Sequence, residues 1–517
     1  MTPIPVLTIL TVLPVIGALL ILAFTGSNAK LARWSALAFS ILSLGLTLVL
    51  WAHFDTISGT LQFQERHLWI APLGIEYHTG IDGLGLLMLL LSAIVVPIGI
   101  LASWPIANRV SLYFSLVLLL QACLVGTFTT LNFFHFFVFW ELGLVPAFFL
   151  IKLWGGPRSS GAATQFLVYT MVGSVCLLLA FLALYLATGT FDFSGLAALA
   201  QHGQLMPAVF HKLAWRITPQ NLALLIFAGA FLGFAVKVPV VPFHTWLPDA
   251  YTEAPAGTTI LLTGAMSKMG LYGFLRILLP IFYPQMQAVL TPLLWLAVAT
   301  IVVSAYAALA QKDLKRVFAY SSINHLGYCL LAIFAIVKFT GADPSLDTEK
   351  YAALSGAFLQ ILNHALTAAT LFWFVAMLEQ RSGGLRGLDD FGGLRRIAPV
   401  FAGLMGIALF SSLGLPGLNG FPGEFLIFKG TFPLTAWATC LSVLGLLATA
   451  LFLLTILQRV FSGPLNPKWA GFPDLSARER LALAPAIALM FVLGLYPQLV
   501  LGVVDRTVVQ MVQQLRF

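Results

Sequence analysis

Residues 235–243 read Ala-Val-Lys-Val-Pro-Val-Val-Pro-Phe, and residues 413–423 read Leu-Gly-Leu-Pro-Gly-Leu-Asn-Gly-Phe-Pro-Gly. Both stretches lie inside long apolar segments. Proline removes a backbone donor and leaves a helix carbonyl without its usual partner. In a bilayer such a break is tolerated only where protein or water satisfies the freed groups. Each stretch therefore predicts a broken membrane helix beside a polar cavity, although a single membrane proline is as often a simple kink.

The composition leaves the bilayer as the only plausible solvent for this chain. Of the 517 residues, 60% are hydrophobic and 9% are charged, and the mean hydropathy is +0.96. Soluble domains carry about 25% charged residues. The formal net charge is +8, but no basic run is longer than two residues, so the pattern does not indicate nucleic-acid binding.

Motifs for cofactors are missing from the sequence. The four cysteines are isolated in apolar segments and form no CxxC pair, which excludes an iron–sulfur or zinc site of the usual spacing: Cys123, Cys176, Cys329 and Cys440. Neither a phosphate-binding glycine loop nor a GxSxG nucleophile motif is present. We therefore expect no cofactor or metal to be bound by this chain.

An all-α polytopic membrane protein is predicted, because about 20 apolar residues are needed for each crossing. The chain offers fourteen such spans, near 3–24, 31–53, 82–104, 110–130, 133–153, 165–188, 221–243, 255–279, 287–310, 317–338, 352–378, 398–428, 433–461 and 481–503. The first has no basic residues before it and no cleavage site after it, which indicates an uncleaved helix and not a signal peptide.

The basic residues predict the orientation in the membrane, because cytoplasmic loops accumulate Lys and Arg. Loops after odd-numbered spans hold 16 of the 27 basic residues: Lys30, Arg33, Arg109, Lys152, Arg158, Lys312, Lys315, Arg316, Arg381, Arg386, Arg395, Arg396, Arg459, Lys468, Arg478 and Arg480. The other loops are richer in acid. This asymmetry predicts that both termini face the outside.

Two matching intervals predict an internal repeat. Pro239 and Pro416 lie 177 residues apart, and so do the starts of spans 4 and 9. Spans 7 and 12 differ by an odd number, so the two five-helix units would run in opposite directions, as in many transporters. The predicted divisions are 1–109 for helices 1–3, 110–286 and 287–465 for the two inverted units, and 466–517 for the C-terminal loop and last helix.

Ionisable residues inside membrane spans are costly and usually functional. Six candidates stand near the middle of spans or at their breaks: Glu141, Lys237, Lys268, His325, His364 and Glu424. Burial and a nearby carboxylate shift the pKa of a lysine in opposite directions, so moving the partner away would release a proton. We therefore read these residues as a proton path bridged by water.

Alternative roles stay open for several of these residues. Glu141 is also consistent with a structural counter-charge for Lys237, and either histidine with a packed, hydrogen-bonded side chain. Lys429 lies nearer an interface, where a lysine can extend its ammonium to water.

These residues stand in stretches that resemble a known family, the antiporter-like membrane subunits of respiratory complex I, the proton-pumping NADH:quinone oxidoreductase, and within it the subunit M (chain 4) type. The stretches are Phe139-Trp-Glu-Leu142, Ala235 through His244, Trp246-Leu-Pro-Asp-Ala250, Gln311 through Arg316, Ala319-Tyr-Ser-Ser322, Asn324-His-Leu-Gly327, Asn363-His-Ala-Leu366 and Gly414 through Glu424. They cover most of the region from span 4 to span 12.

The resemblance implies a role for each candidate. Glu141 and Lys237 would form a controlling pair, Lys268 would be the central carrier, His325 and His364 the connecting path, and Glu424 the terminal exchange group. Related N-type subunits and the D subunit of Mrp-type antiporters are expected to place Lys at the last position, so Glu424 favours the M type. Tyr251 departs from the His common in relatives; we expect it to lie in a loop and to alter little.

The function expected from the resemblance is proton translocation coupled to electron transfer from NADH to quinone. NADH, FMN, iron–sulfur clusters and quinone would be bound by partner subunits, the antiporter-like L and N types would be neighbours, and the redox arm an indirect partner. A bacterial inner membrane is the expected location. The alternatives are a subunit of an Mrp-type cation/proton antiporter or of a membrane-bound hydrogenase, and a scaffold that only anchors an electron-transfer arm.

Overall fold

The computed structural model describes residues 4–26, 28–213, 217–338 and 344–515. The predicted start of the first span at residue 3 and both chain termini lie outside these ranges. Within them the chain is mostly helical, as predicted.

The N-terminal part contains three long helices and one β-hairpin that sequence analysis missed. Its elements are α1 Val6–Phe24, α2 Ala29–His53, β1 Gln62–Ile70, β2 Ile75–Ile81 and α3 Gly83–Ala102. The strands pair antiparallel, with Leu68 opposite Glu76. A turn with Pro72 and a left-handed Gly74 (φ 60°) joins them, and such turn residues favour a hairpin.

The central part alternates long membrane helices with short ones. Its helices are α4 Val110–Thr129, α5 Phe133–Leu142, α6 Leu144–Trp154, α7 Ser159–Thr188, α8 Phe193–Gln201, α9 Leu205–Leu213, α10 Pro219–Lys237, α11 Trp246–Glu253, α12 Ala256–Leu261, α13 Ser267–Gly273 and α14 Leu279–Ala288. Two π-helical turns, Leu262–Met266 and Phe274–Leu278, join α12, α13 and α14 into one continuous helix. Such turns are frequent at functional sites.

Eight further α-helices lie in the described residues of the C-terminal part. They are α15 Leu290–Leu309, α16 Leu314–Ala335, α17 Pro344–Ser382, α18 Pro399–Ser412, α19 Gly420–Leu434, α20 Ala436–Ile456, α21 Ala477–Leu495 and α22 Gln498–Gln513. Another π-helical turn, Leu457–Phe461, extends α20.

The predicted count of fourteen spans is not confirmed. Among the described residues, 12 helices are long and apolar enough to cross a membrane, or up to 13 if α21 and α22, bent by 62° at their junction, form one span. The segment predicted as span 12 is instead two short helices, α18 and α19, because the Gly and Pro residues between them interrupt the helix. The four predicted divisions of the chain and its inverted repeat stay predictions.

The core lies along three neighbouring elements: α16, α17 and the continuous helix 256–288, which are buried almost all round. α1 and α2 instead leave most of their apolar surface uncovered. A helix that is apolar on every side belongs inside a bundle or in lipid. Lys268, His325 and His364 therefore sit on the most enclosed helices of the chain.

A buried ion pair fastens the start of α3 to the helix 256–288. Arg276, in the second π-helical turn, contacts the Asp82 carboxylate, and the two side chains are only 12% and 8% exposed. Asp82 also caps α3 by accepting from the Gly85 N–H at 3.0 Å. Removing one member of a buried pair leaves an uncompensated charge, which is far more costly than breaking a surface pair.

We expect Asp82→Asn to lower the free energy of unfolding by about 3 kcal/mol, because Asn keeps the helix cap but leaves the Arg276 charge unpaired. The matched control is Asp389→Asn, which breaks the exposed Arg459–Asp389 pair and should cost less than about 1 kcal/mol. Thermal denaturation in detergent, followed by size-exclusion chromatography, measures both. Equal stability losses would contradict this account of the pair.

Candidate functional site

The first broken helix presents Lys237 at the carboxyl end of α10. Pro239 has no N–H for the Ala235 carbonyl, which instead accepts from Val240 N–H at 2.8 Å. The displaced Val236 carbonyl accepts from the indole of Trp246 at 3.0 Å. The predicted break is therefore present, and its freed carbonyls are satisfied within the protein as the bilayer requires. A cation at a helix carboxyl end is also favoured by the helix dipole.

Trp140, which precedes Glu141 in the chain, contacts Lys237, the other residue of the predicted controlling pair. The Lys237 ammonium is 4.5 Å from the centre of the Trp140 ring, and the indole donates to Ser174 Oγ at 2.9 Å. Glu141 follows Trp140 in the last turn of α5 and is only partly buried. Among the described residues, neither Lys237 Nζ nor Glu141 Oε1 has a hydrogen-bond partner. The pair is thus not in direct contact here, and its controlling role stays a prediction.

Lys268 is the most enclosed charged group of the site, with no exposed surface. Its ammonium donates to the carbonyl of Thr263, in the first π-helical turn. Its Nζ also lies 2.7 Å from Nδ1 of His364 on α17. Because an ammonium has no acceptor, Nδ1 of His364 is the acceptor in this contact. A neutral His364 ring then carries its proton on Nε2.

Beyond His364 lie His325 and the two side chains that contact its ring nitrogens, Glu424 and Ser412. The His364 and His325 ring centroids are 5.4 Å apart. His325 Nδ1 is 3.1 Å from the Glu424 carboxylate, and its Nε2 is 3.1 Å from Ser412 Oγ. An ionised carboxylate only accepts, so Nδ1 of His325 donates in that contact. The structure thus brings four of the six predicted residues into one buried row, which we call the polar row: Lys268, His364, His325 and Glu424.

The second broken helix supplies the far end of the polar row. Gly414 and Gly417 adopt left-handed backbone (φ 76° and 95°) between α18 and α19, which glycine permits at little cost. Asn419 fills the break: its amide donates to the Asn363 carbonyl at 3.2 Å. Glu424 follows in the second turn of α19. In return, the side-chain amide of Asn363 on α17 donates to the Asn419 carbonyl, so α17 supplies a partner for the backbone of the broken segment.

A small void lies between the first break and the polar row. Lys237 and Ser267 both line it, together with Phe166, Trp246, Leu262 and Met266. Ser267 Oγ is in turn 3.4 Å from Lys268 Nζ. The void thus borders Lys237 and the serine next to Lys268, and its other walls are apolar.

Sequence analysis missed Gln360 and misplaced Tyr251. Gln360 donates to Glu424 Oε1 at 3.1 Å and lies 3.3 Å from His325 Nδ1; its position four residues before His364 on one helix would have indicated it. Tyr251 was expected in a loop, but it lies in α11 and is fully buried. Its ring packs against that of Phe372, with 6.0 Å between the ring centroids.

Lys429 extends its side chain toward the surface, as its position near an interface allowed. Its side chain is 44% exposed and pairs with Glu349 at 3.0 Å. It is therefore separate from the polar row and offers a lysine for comparison with Lys268.

Comparison with known proteins adds independent findings. Residues 130–451 match the family model described as NADH:quinone oxidoreductase/Mrp antiporter, TM. The chain is 34% identical to NADH-quinone oxidoreductase subunit M of Rickettsia typhi, over 97% of this chain and 98% of that protein. It is also 34% identical to subunit M of Rhodobacter capsulatus, over 98% of this chain and 96% of that protein.

Solved structures agree with these relatives. A chain of respiratory complex I from Thermus thermophilus is similar with a TM-score of 0.83 and 26% identity, covering 98% of this chain and 99% of that one. A chain of the Mrp complex from Dietzia sp. DQ12-45-1b shares the fold, with a TM-score of 0.81, 22% identity and 100% of both chains covered. This chain therefore belongs to the NADH:quinone oxidoreductase and Mrp antiporter family of membrane subunits.

Proposed function

We propose that this chain is a proton-translocating membrane subunit of an NADH:quinone oxidoreductase. The polar row carries the proposal, because it places an ammonium, two imidazoles and a carboxylate in sequence within the most enclosed part of the bundle. Isolated charges in a membrane interior are expensive, and a scaffold has no need for them. The relatives named as subunit M, aligned over nearly the whole chain, support the oxidoreductase over an Mrp-type antiporter or a membrane-bound hydrogenase.

The polar row provides a chemically complete order of transfer. Lys268 gives a proton to Nδ1 of His364, and His364 releases its other proton from Nε2. The step between the imidazoles spans 5.4 Å between ring centroids, which requires a bridging water or a ring rotation. His325 accepts that proton at Nε2, the nitrogen beside Ser412, and then passes its Nδ1 proton to Glu424, 3.1 Å away. The transfers to His364 and to His325 each leave one neutral and one positively charged group, and the last transfer leaves both His325 and Glu424 neutral, so no two positive charges need stay together.

Lys237 and Glu141 form the controlling part of this proposal. The Lys237 ammonium rests on the Trp140 ring without a hydrogen bond to any described residue. A cation held in this way is attracted to the ring face and remains sensitive to a carboxylate nearby, because Coulomb interactions are strong away from water. A shift of Glu141 relative to Lys237 would change the field felt at Lys268 through the void that Lys237 and Ser267 share.

The setting of the subunit belongs to the same proposal. Antiporter-like subunits of the L and N types would flank it, and electrons would pass from NADH through FMN and iron–sulfur clusters to quinone in partner subunits, with no redox group on this chain. The charge asymmetry of the loops supports a basic side in the cytoplasm and both termini outside a bacterial inner membrane.

We expect Lys268→Ala to reduce NADH-driven proton translocation at least about tenfold, because it removes the proton donor to His364. Inverted membrane vesicles measure translocation, and quinone reduction and complex assembly are measured in the same preparation. Lys429→Ala is the matched control, since it removes an exposed lysine and should leave translocation unchanged. Unchanged pumping in an assembled Lys268→Ala complex would favour the scaffold.

Lys237→Ala tests the controlling role of Lys237, and proton translocation is measured in the same vesicles. Pumping should fall several-fold while the complex still assembles, because the cation facing Trp140 is lost. Full pumping by the assembled variant would remove Lys237 from the mechanism.

We expect Gln360→Met to slow proton translocation several-fold, because the amide that donates to the Glu424 carboxylate beside His325 is replaced by an apolar group of similar length. Gln360→Asn, which keeps a side-chain amide donor at this position, should retain more activity than Gln360→Met. The initial rate of translocation at a fixed NADH oxidation rate is the measurement. If both variants pump like the wild type, the Gln360 contacts have no role in the row.

A further inference from the structure

Two cavities lie one above the other along the same four helices, α2, α3, α17 and α21. The first, of about 900 Å³, is at the ends of these helices that carry the basic loops. We call it the interfacial cavity; its lining includes Lys30, Arg33, Trp34, Trp104, Trp373 and Arg478. The second, of about 350 Å³, is lined almost entirely by aliphatic side chains and is called the apolar cleft; among them are Leu44, Leu48, Leu362, Leu366, Leu489 and Leu493.

The interfacial cavity is rich in uncompensated positive charge. Lys30, Arg33 and Arg478 form no ion pair with any described carboxylate. Arg33 is fixed in place by a 2.9 Å hydrogen bond to the Ile106 carbonyl, yet its buried Nε–H has no described partner. Among the described residues that line the cavity, Glu479 is the one acid, and Arg381 pairs with it at 2.8 Å.

Aromatic side chains indicate where the interfacial cavity lies relative to the bilayer. Trp34 and Trp104 meet edge to face with ring centroids 5.2 Å apart, and Trp34 is 54% exposed. Tryptophan is enriched where a membrane protein crosses the headgroup region. The positive groups therefore stand at the level of lipid phosphates, not in the loops beyond them.

The spacing of the two cavities fits one lipid leaflet. Arg478 and Leu489 are eleven residues apart on α21, and Trp373 and Leu362 are eleven apart on α17. At 1.5 Å per residue, each interval is about 16 Å. Half of the hydrocarbon core is about 15 Å. An acyl chain that starts at the interfacial cavity thus ends in the apolar cleft.

We propose that the two cavities together bind one anionic phospholipid. Its phosphate lies among Lys30, Arg33 and Arg478 in the interfacial cavity, and its acyl chains run along α2 and α21 into the apolar cleft. A zwitterionic lipid would leave the positive cluster without a net counter-charge. The cleft wall includes Leu362 and Leu366, which flank His364 on α17. The lipid thus packs on the back of the helix that carries the polar row. This site does not depend on the proposed proton path.

The test uses the purified membrane assembly that contains this chain and a phosphatidylglycerol probe with a photoreactive group at the end of one acyl chain. Crosslinked peptides are mapped and quantified by mass spectrometry. We expect adducts on α2 near Leu44 to Leu48 and on α21 near Leu489 to Leu493. Excess unlabelled phosphatidylglycerol should compete, and excess phosphatidylcholine should not.

Lys30→Gln combined with Arg478→Gln should weaken phosphatidylglycerol binding about 30-fold, since each basic group near a membrane surface adds about a factor of five to anionic-lipid binding. The matched control is Arg395→Gln with Arg396→Gln, which removes two exposed charges on the same side outside the cleft. Leu48→Trp, at the lipid-facing edge of the apolar cleft, should abolish the α21 adduct and leave the assembly intact.

Three results would overturn the site. The first is equal loss of binding in both double variants, which indicates only a diffuse surface charge. The second is equal competition by phosphatidylcholine, and the third is the absence of any cleft adduct in the intact assembly, which indicates that a neighbouring protein helix covers the cleft.

Discussion

In the hydrocarbon layer, a backbone carbonyl or N–H without a partner costs several kcal/mol, and this constraint shapes both functional ends of the chain. At the first break, the indole of Trp246 donates to the Val236 carbonyl, which has lost its helical partner. At the second break, Asn419 and Asn363 bond each other's backbone. The polar groups that repair the breaks also enclose the ionisable residues beside them, so broken helices and buried charges occur together.

The same constraint explains why the polar row runs across helices and not along one. Lys268, His364, His325 and Glu424 come from α13, α17, α16 and α19. Each helix satisfies its own backbone, which leaves its side chains free to bond across the interface. Glu424 and Ser412 then fix the two nitrogens of His325, and Gln360 donates to the same Glu424 carboxylate. The row is therefore held by side-chain contacts that can rearrange without unfolding a helix.

The outer parts of the bundle carry a different chemistry. α2 and α21 expose aliphatic surface to lipid and place basic and aromatic residues at one end. Toward the core, α17 meets this lipid-facing cleft on one side and bears His364 of the polar row. One long helix, α17, thus borders both the lipid-facing cleft and the polar row. A change in packing on its cleft side would therefore act on His364 through the same helix.

Much of this organisation was predictable from residues alone, because a membrane imposes simple rules. Apolar length predicts most spans, and proline marks the break at Lys237 and the one before Glu424. The cost of buried charge singles out Lys268 and the two histidines. The hairpin 62–81 escaped prediction because its strands lie in the loop between predicted spans, outside the apolar segments from which the elements were predicted.

The sequence by itself determined that this is a helical membrane protein with two broken helices and a small set of costly buried ionisable residues. Only the tertiary structure decided which of them meet. It joined Lys268 to His364 and His325 to Glu424, but left Glu141 and Lys237 without a direct bond. It also moved Tyr251 into the core and brought Gln360 into the row. The reason is physical: hydropathy depends on each residue's own transfer cost, whereas contacts between helices depend on rotation and crossing angle, which local sequence does not specify.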